Sequence, residues 1–225
     1  MNQRGLCMMF DTIKRWMGTA KPESVSAGPQ VLTDWAKSEG HTVKAVSGHA
    51  HGVVVETRAG WRVEWGHTQR PYFQHHELRF RCDCGLSPDV QMLFLSKAMA
   101  QALESDVFLR FTDAMQTRID NTLPDEMRWL ALHSKVSLAE HPVLSRRFML
   151  LSNAEPVARQ WLTPDLLAAL EAAASSWWTD GLVVLMTVNR GILTIRMSGD
   201  DLEPNQLKLV GRLFDLAAAR LTALS

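Results

Sequence analysis

Surplus charge is the first thing this chain lacks: Lys+Arg and Asp+Glu each number 24. A nucleic-acid binder carries a basic surplus or stripe that tracks the phosphates, so no nucleic-acid partner is expected. Long apolar runs are also missing, and nothing approaches the ~18 residues needed to span a bilayer. The run Leu6-Cys-Met-Met-Phe10 is ended at once by Asp11 and is too short for the apolar region of a secretory signal. Cysteine is sparse, and an odd three in a chain of 225 residues do not make a disulfide framework. A reducing, cytoplasmic location is the expectation. No Gly-rich phosphate loop, dinucleotide fingerprint, nucleophile elbow or His-Glu-x-x-His helix is visible. No catalytic residue and no cofactor is therefore expected.

Tyrosine is nearly missing, one against eight tryptophans. Tryptophan supplies much buried area, so packing in the core and in hairpins is the simpler reading of that excess. An aromatic ligand or partner surface is the alternative.

What is present is a pattern stated twice. Around Gly60 the chain reads Val53-Val-Val-Glu-Thr-Arg-Ala-Gly60-Trp-Arg-Val-Glu-Trp65, and around Gly191 it reads Val184-Leu-Met-Thr-Val-Asn-Arg-Gly191-Ile-Leu-Thr-Ile-Arg196. Each is a β-rich run, a polar turn closed by Gly, and a second β-rich run, the signature of a hairpin. Leu86-Ser-Pro-Asp89 and Leu202-Glu-Pro-Asn205 read as paired helix starts, since Pro suits the first helical position. The predicted fold class is α+β: two related antiparallel hairpin-plus-helix units joined by helices, with a short tethered N-terminal helix. The helices are expected on one face of the sheets.

Three segments follow from this. Residues 1–29 hold an amphipathic helix at 5–17, with Leu6, Phe10, Ile13 and Trp16 at helical spacing, and a Gly/Pro/Ser-rich linker. Residues 30–145 make the first unit with connecting helices, and residues 146–225 the second. In the first unit, a helix at 30–39 ends at Gly40. Strands are predicted at 42–47, 52–57, 61–65 and 77–83, then helices at about 88–104, at 106–120 and from Pro124. In the second unit, a strand at 147–152 precedes helices from Ser152 and Thr163, a hairpin at 182–198 and a helix at 204–223.

The densest group of functional side chains is the segment 66–76, with His67, Arg70, His75 and His76. On the neighbouring strands Arg62 and Glu64, with Glu77, Arg79, Arg81 and Asp83, share one face by strand alternation. A solvated, salt-bridged sheet face is the simpler reading. An anion site built from Arg62, Arg79 and Arg81, with Arg70 from the loop, is the sharper one. The binding candidates are thus Arg62, His67, Arg70, His75, His76, Arg79 and Arg81. Zinc drawn from His75, His76, Cys82 and Cys84 has poor spacing, so no metal is expected and the two cysteines read as buried thiols. Asp120, Asp125 and Glu126 read as helix-terminal acids that suit the macrodipole.

The preferred function is a non-enzymatic protein-binding or adaptor module with an unidentified protein partner. The alternatives are a small-ligand-binding protein or enzyme with its site near the 66–76 loop, and peripheral membrane association through residues 5–17.

Overall fold

Alternation with period two decides which side of a strand is apolar, and here it runs in register across one sheet. A computed structural model of the chain describes residues 28–46, 52–114 and 123–225. The N-terminal helix and its linker, and Asp120, lie outside the described residues. Helix α1 (Gly28–Ser38) is followed by strands β1 (Thr42–Val46), β2 (Gly52–Glu56), β3 (Arg62–His67), β4 (His76–Asp83) and β5 (Met92–Ser96). Next come α2 (Lys97–Ala114), α3 (Asp125–Leu132), β6 (Ser134–Val136), α4 (Pro142–Arg147) and β7 (Phe148–Ser152). The chain closes with α5 (Glu155–Trp161), α6 (Pro164–Ser175), β8 (Val184–Asn189), β9 (Ile192–Ser198) and α7 (Pro204–Thr222).

The nine strands form a single sheet in the order β1-β2-β3-β4-β9-β8-β5-β7-β6, antiparallel at every step. The fold is α+β with a large antiparallel sheet. The last hairpin, β8–β9, sits between β4 and β5, so strands from both predicted units share this sheet.

Both predicted hairpins form. Gly60 takes φ +86° in the β2–β3 turn, and Arg190 and Gly191 take +52° and +76° in the β8–β9 turn. Two consecutive positive φ values make the two-residue turn whose twist suits a hairpin. A side chain on Gly191 would meet the Leu86 carbonyl at 2.8 Å. The connections differ, however. After β3 the chain adds β4 and β5 before a helix, whereas after β9 it enters α7 directly.

One prediction needs correction. The helix expected at 88–104 is instead β5 over Met92–Ser96, with α2 beginning at Lys97 and running through 106–114 without a break. All five residues of β5 are buried, because the strand is covered on both faces. A strand covered on both faces reads as a continuous apolar run and shows no period. Pro88 sits in a turn, where the Val90 N–H donates to the Ser87 carbonyl at 3.1 Å.

The first face of the sheet carries an apolar row through all nine strands: Val43, Val55, Val63, Phe80, Ile195, Met186, Phe94, Leu150 and Val136. Helices α1, α5, α6 and α7 cover this face with Trp35, Trp161, Leu170 and Phe214 among others. Phe94 stacks on Phe148 at 5.2 Å, and both meet Trp178 edge-on. Six of the seven described tryptophans are buried. Three of these donate their indole N–H: Trp61 to Asp215, Trp65 to the Gly199 carbonyl and Trp161 to the Ala217 carbonyl. The tryptophan excess is thus mostly core.

The second face is covered over part of its width. There α2, α3 and the loop after β3 enclose a smaller core of Leu93, Leu95, Leu151 and Leu185 with Met99, Leu103 and Trp129. Helices therefore lie on both faces and not on one, as the sequence pattern suggested.

Candidate functional site

The segment joining β3 to β4 does not arch into solvent. Thr68 and Arg70 close a tight turn, with the Arg70 N–H donating to the Thr68 hydroxyl and that hydroxyl to the Arg70 carbonyl, each at 3.0 Å. This turn drives Tyr72 and Phe73 into the second-face core. Both rings are buried.

Beneath the loop sits Glu126, at the start of α3 and 2% exposed. Arg70 Nε reaches its Oε1 at 2.5 Å, and the Tyr72 hydroxyl donates to the same oxygen. Burial raises the Tyr72 phenol well above its ordinary pKa of 10.0, and the neighbouring Glu126 carboxylate adds to the shift. Burial opposes the charge on Arg70, but Glu126, Tyr72 and Glu77 together outweigh this and the guanidinium pKa rises. Arg70 is therefore a structural clamp on α3, apart from the other arginines. Asp125 next door pairs with Arg128 and accepts from Asn189 at 3.0 Å.

A second group forms on the width of the same face that the smaller core does not occupy. Register places Glu64 opposite Arg79 and Arg79 opposite Arg196, with Arg62 opposite Arg81 one step along. Glu77 is fully buried and is held by Arg196 at 3.0 Å and Arg79 at 3.1 Å. Glu64 accepts from Arg62 at 2.7 Å, Arg79 at 3.2 Å and Arg81 at 3.5 Å. Side-chain exposure is 51% for Arg62 and 31% for Arg81, against 14% for Glu64, while Arg79 and Arg196 are nearly as buried as Glu64. Arg79 Nε is buried and has no hydrogen-bond partner.

The histidines form a third group at the end of the hairpin. His76 stacks on Trp65 at 4.3 Å and on His67 at 5.1 Å. Its Nδ1 lies 2.9 Å from Asp200, which also accepts the backbone N–H groups of His75 and His76. Asp200 thus ties the β3–β4 loop to the β9–α7 loop. Cys82 is six residues along β4 from His76, about 20 Å at the rise of a strand. Among the described residues, no three His, Cys, Asp or Glu side chains are placed to share a metal ion. Cys84 is buried and Cys82 half-buried. Burial, with Cys84 close by, pushes the Cys82 thiol up to about 11.

The sequence candidates thus fall into three places. Arg62, Arg79 and Arg81 come together, joined by Arg196. His67, His75 and His76 come together with Asp200. Arg70 stands apart with Glu126. Arg196, Asp200 and Tyr72 were not foreseen. Their own strands or loops gave a polar residue, but the partner depends on register across more than fifty positions.

An interstice of about 140 Å³ lies inside the first-face core, lined by Met92, Phe94, Trp161, Met186, Thr187, Val188 and Leu193, and it admits no water-sized sphere. No described helix is long and apolar enough to cross a membrane.

This is an α+β protein built on one antiparallel sheet with helices on both faces. No family model matches the chain, and no curated protein matches it. Among solved structures it is similar to the crystal structure of the mycobacterial trehalose monomycolate transport factor A, TtfA, at a TM-score of 0.50 and 11% sequence identity. The likeness covers 87% of this chain and 94% of that one. At that identity it speaks to the fold alone.

Proposed function

We propose that this chain is a non-enzymatic protein-binding or adaptor module of the cytoplasm, and that it docks its partner on the charged width of the sheet's second face. One observation carries the reading. The loop expected to frame a ligand site is packed shut by Tyr72 and Phe73 over the Arg70–Glu126 pair. A ligand or enzyme site is normally a concave pocket with a few converging polar groups. The charged face is instead broad, with Arg62 and Arg81 the more exposed beside Glu64 and with Glu77 buried between Arg79 and Arg196. Free thiols at Cys82 and Cys84 suit a reducing compartment.

A lipid-handling role is the reading that the name of the fold neighbour suggests. It needs room for an acyl chain, and the interstice described among the first-face core residues does not hold even a water-sized sphere.

Photo-crosslinking in the host cell tests it. A crosslinking residue placed at Thr42 or Glu56, both exposed on the charged side of the sheet, is expected to give one discrete protein adduct. The same residue at exposed Arg212 on α7 is expected to give none. Equal smears from all three positions, or stoichiometric lipid on the purified chain by native mass spectrometry, would count against the proposal.

A further inference from the structure

The arginine face has a composition and a spacing that select its occupant. Four arginines, Arg62, Arg79, Arg81 and Arg196, stand with two glutamates, Glu64 and Glu77. The balance of these six is 4 − 2 = +2, and Asp83 on the same face lowers it to +1. Lys44 and Glu56 pair at the rim at 2.7 Å and cancel. Asp83, at the far end of β4, accepts a hydrogen bond from the Gly85 N–H at 3.0 Å. The positive surplus is local, because the whole chain is neutral.

The geometry is that of a lattice. Neighbouring strands lie about 4.8 Å apart, and alternate residues on one strand about 6.7 Å apart. Arg79 and Arg81 are alternate residues of β4, and Arg196 and Arg62 flank them on β9 and β3. Attachment points at that pitch match those of the alternate side chains of an extended peptide, which repeat at about the same distance. A single phosphate would call for donors converging on one point, and the points on which these guanidiniums converge are already taken by the Glu64 and Glu77 carboxylates. Nucleic acid is disfavoured by the carboxylates set among the arginines and by the neutral chain. The chain's own residues 1–27 do not complement the face, since Arg4, Lys14, Arg15 and Lys21 outnumber Asp11 and Glu23.

We infer that the Arg62–Arg79–Arg81–Arg196 face binds an extended acidic segment of a partner protein, its carboxylates paired with the exposed guanidinium edges. Arg62 and Arg81, the more exposed of the four, make the first contacts. Arg79 and Arg196 are held in place by Glu77. The inference rests on the protein-docking reading and names the chemistry of the partner.

Fluorescence anisotropy with a labelled oligo-glutamate peptide and the full chain tests it. Saturable binding is expected, weakened by raising salt from about 50 to 200 mM as screening of exposed charge requires. Arg81→Glu is expected to weaken it about tenfold or more, because it removes one favourable charge and adds a repulsive one. Arg62→Glu serves as a second variant should Arg81→Glu fail to fold. Arg62→Lys is expected to retain affinity within about threefold, and Arg212→Glu on α7 to leave it unchanged. No binding, equal loss in Arg212→Glu, or tighter binding to an oligodeoxynucleotide or to phosphatidylglycerol vesicles would overturn the inference. Crosslinks from Thr42 or Glu56 without oligo-glutamate binding would leave the docking reading standing and remove the acidic partner. The absence of both the crosslinks and the binding would remove both readings.

Discussion

The second face of the sheet is two surfaces in one. Read along the register, one row passes from Lys44, Val54 and Glu64 to Arg79 and Arg196, then to Leu185, Leu95 and Met149. The change from charge to hydrocarbon falls between β9 and β8, two strands of one hairpin. Where the row is apolar, α2 and α3 cover it and Leu95 and Leu185 are fully buried. Where it is charged, ion pairs take the place of packing. In the charged sector the ion pairs leave no contiguous apolar patch on the sheet.

The contrast predicts very unequal costs of substitution. Leu95→Ala, in the covered sector, is expected to lower stability by about 3 kcal/mol through lost burial and the cavity left behind. A urea titration checks this as a fall in midpoint at constant slope. A loss under about 1 kcal/mol would mean that α2 and α3 are loosely seated.

At the border between the sectors, Glu126→Gln keeps an acceptor for Tyr72 but removes the counter-charge of half-buried Arg70. A loss of about 2 kcal/mol is expected, in the range of a charge-assisted bond, again read from the urea midpoint. An unchanged midpoint would show that the loop is held by Tyr72 and Phe73 alone.

Tyr72 adds a pH signature at the same place. Its folded pKa is raised above the ordinary 10.0, by burial first and then by Glu126, so the folded chain holds the phenolic proton more tightly than the unfolded one. Its contribution is complete below about pH 10.0 and is lost as the pH climbs through the higher folded value. Thermal melts of the wild type should therefore fall more steeply above that pH than those of Tyr72→Phe. Parallel curves would refute this.

The smallest effect belongs to the charged sector. Arg81→Ala leaves Glu64 with Arg62 and Arg79 and is expected to cost under about 1 kcal/mol, as exposed ion pairs do. A loss as large as that of Leu95→Ala would mean that the charged sector is core and not a free surface.

Much of the secondary structure was legible because it depends on neighbours a few residues apart. The hairpins around Gly60 and Gly191 were readable from turn chemistry. The end of α1 was readable from Gly40, where the Gly40 and His41 N–H groups bond back to Lys37 and Ala36. The α7 stripe was readable from its period. The strand β5 was not, because Met92-Leu-Phe-Leu-Ser96 is buried on both faces and so carries no alternation. Of the candidate site, the shared face of Arg62, Arg79 and Arg81 followed from strand alternation. Its fourth member, Arg196, did not, since it meets Glu77 across 119 residues.

Local chemistry in the sequence determined which segments turn, which extend and which side of β3 and β4 carries charge, because φ restrictions and side-chain period act over a few residues. The tertiary structure decided that β8–β9 joins both halves into one sheet, that helices take both faces, and that Tyr72 closes over Glu126. Those outcomes depend on which apolar surfaces find one another at long range, and no local pattern encodes that choice of partner.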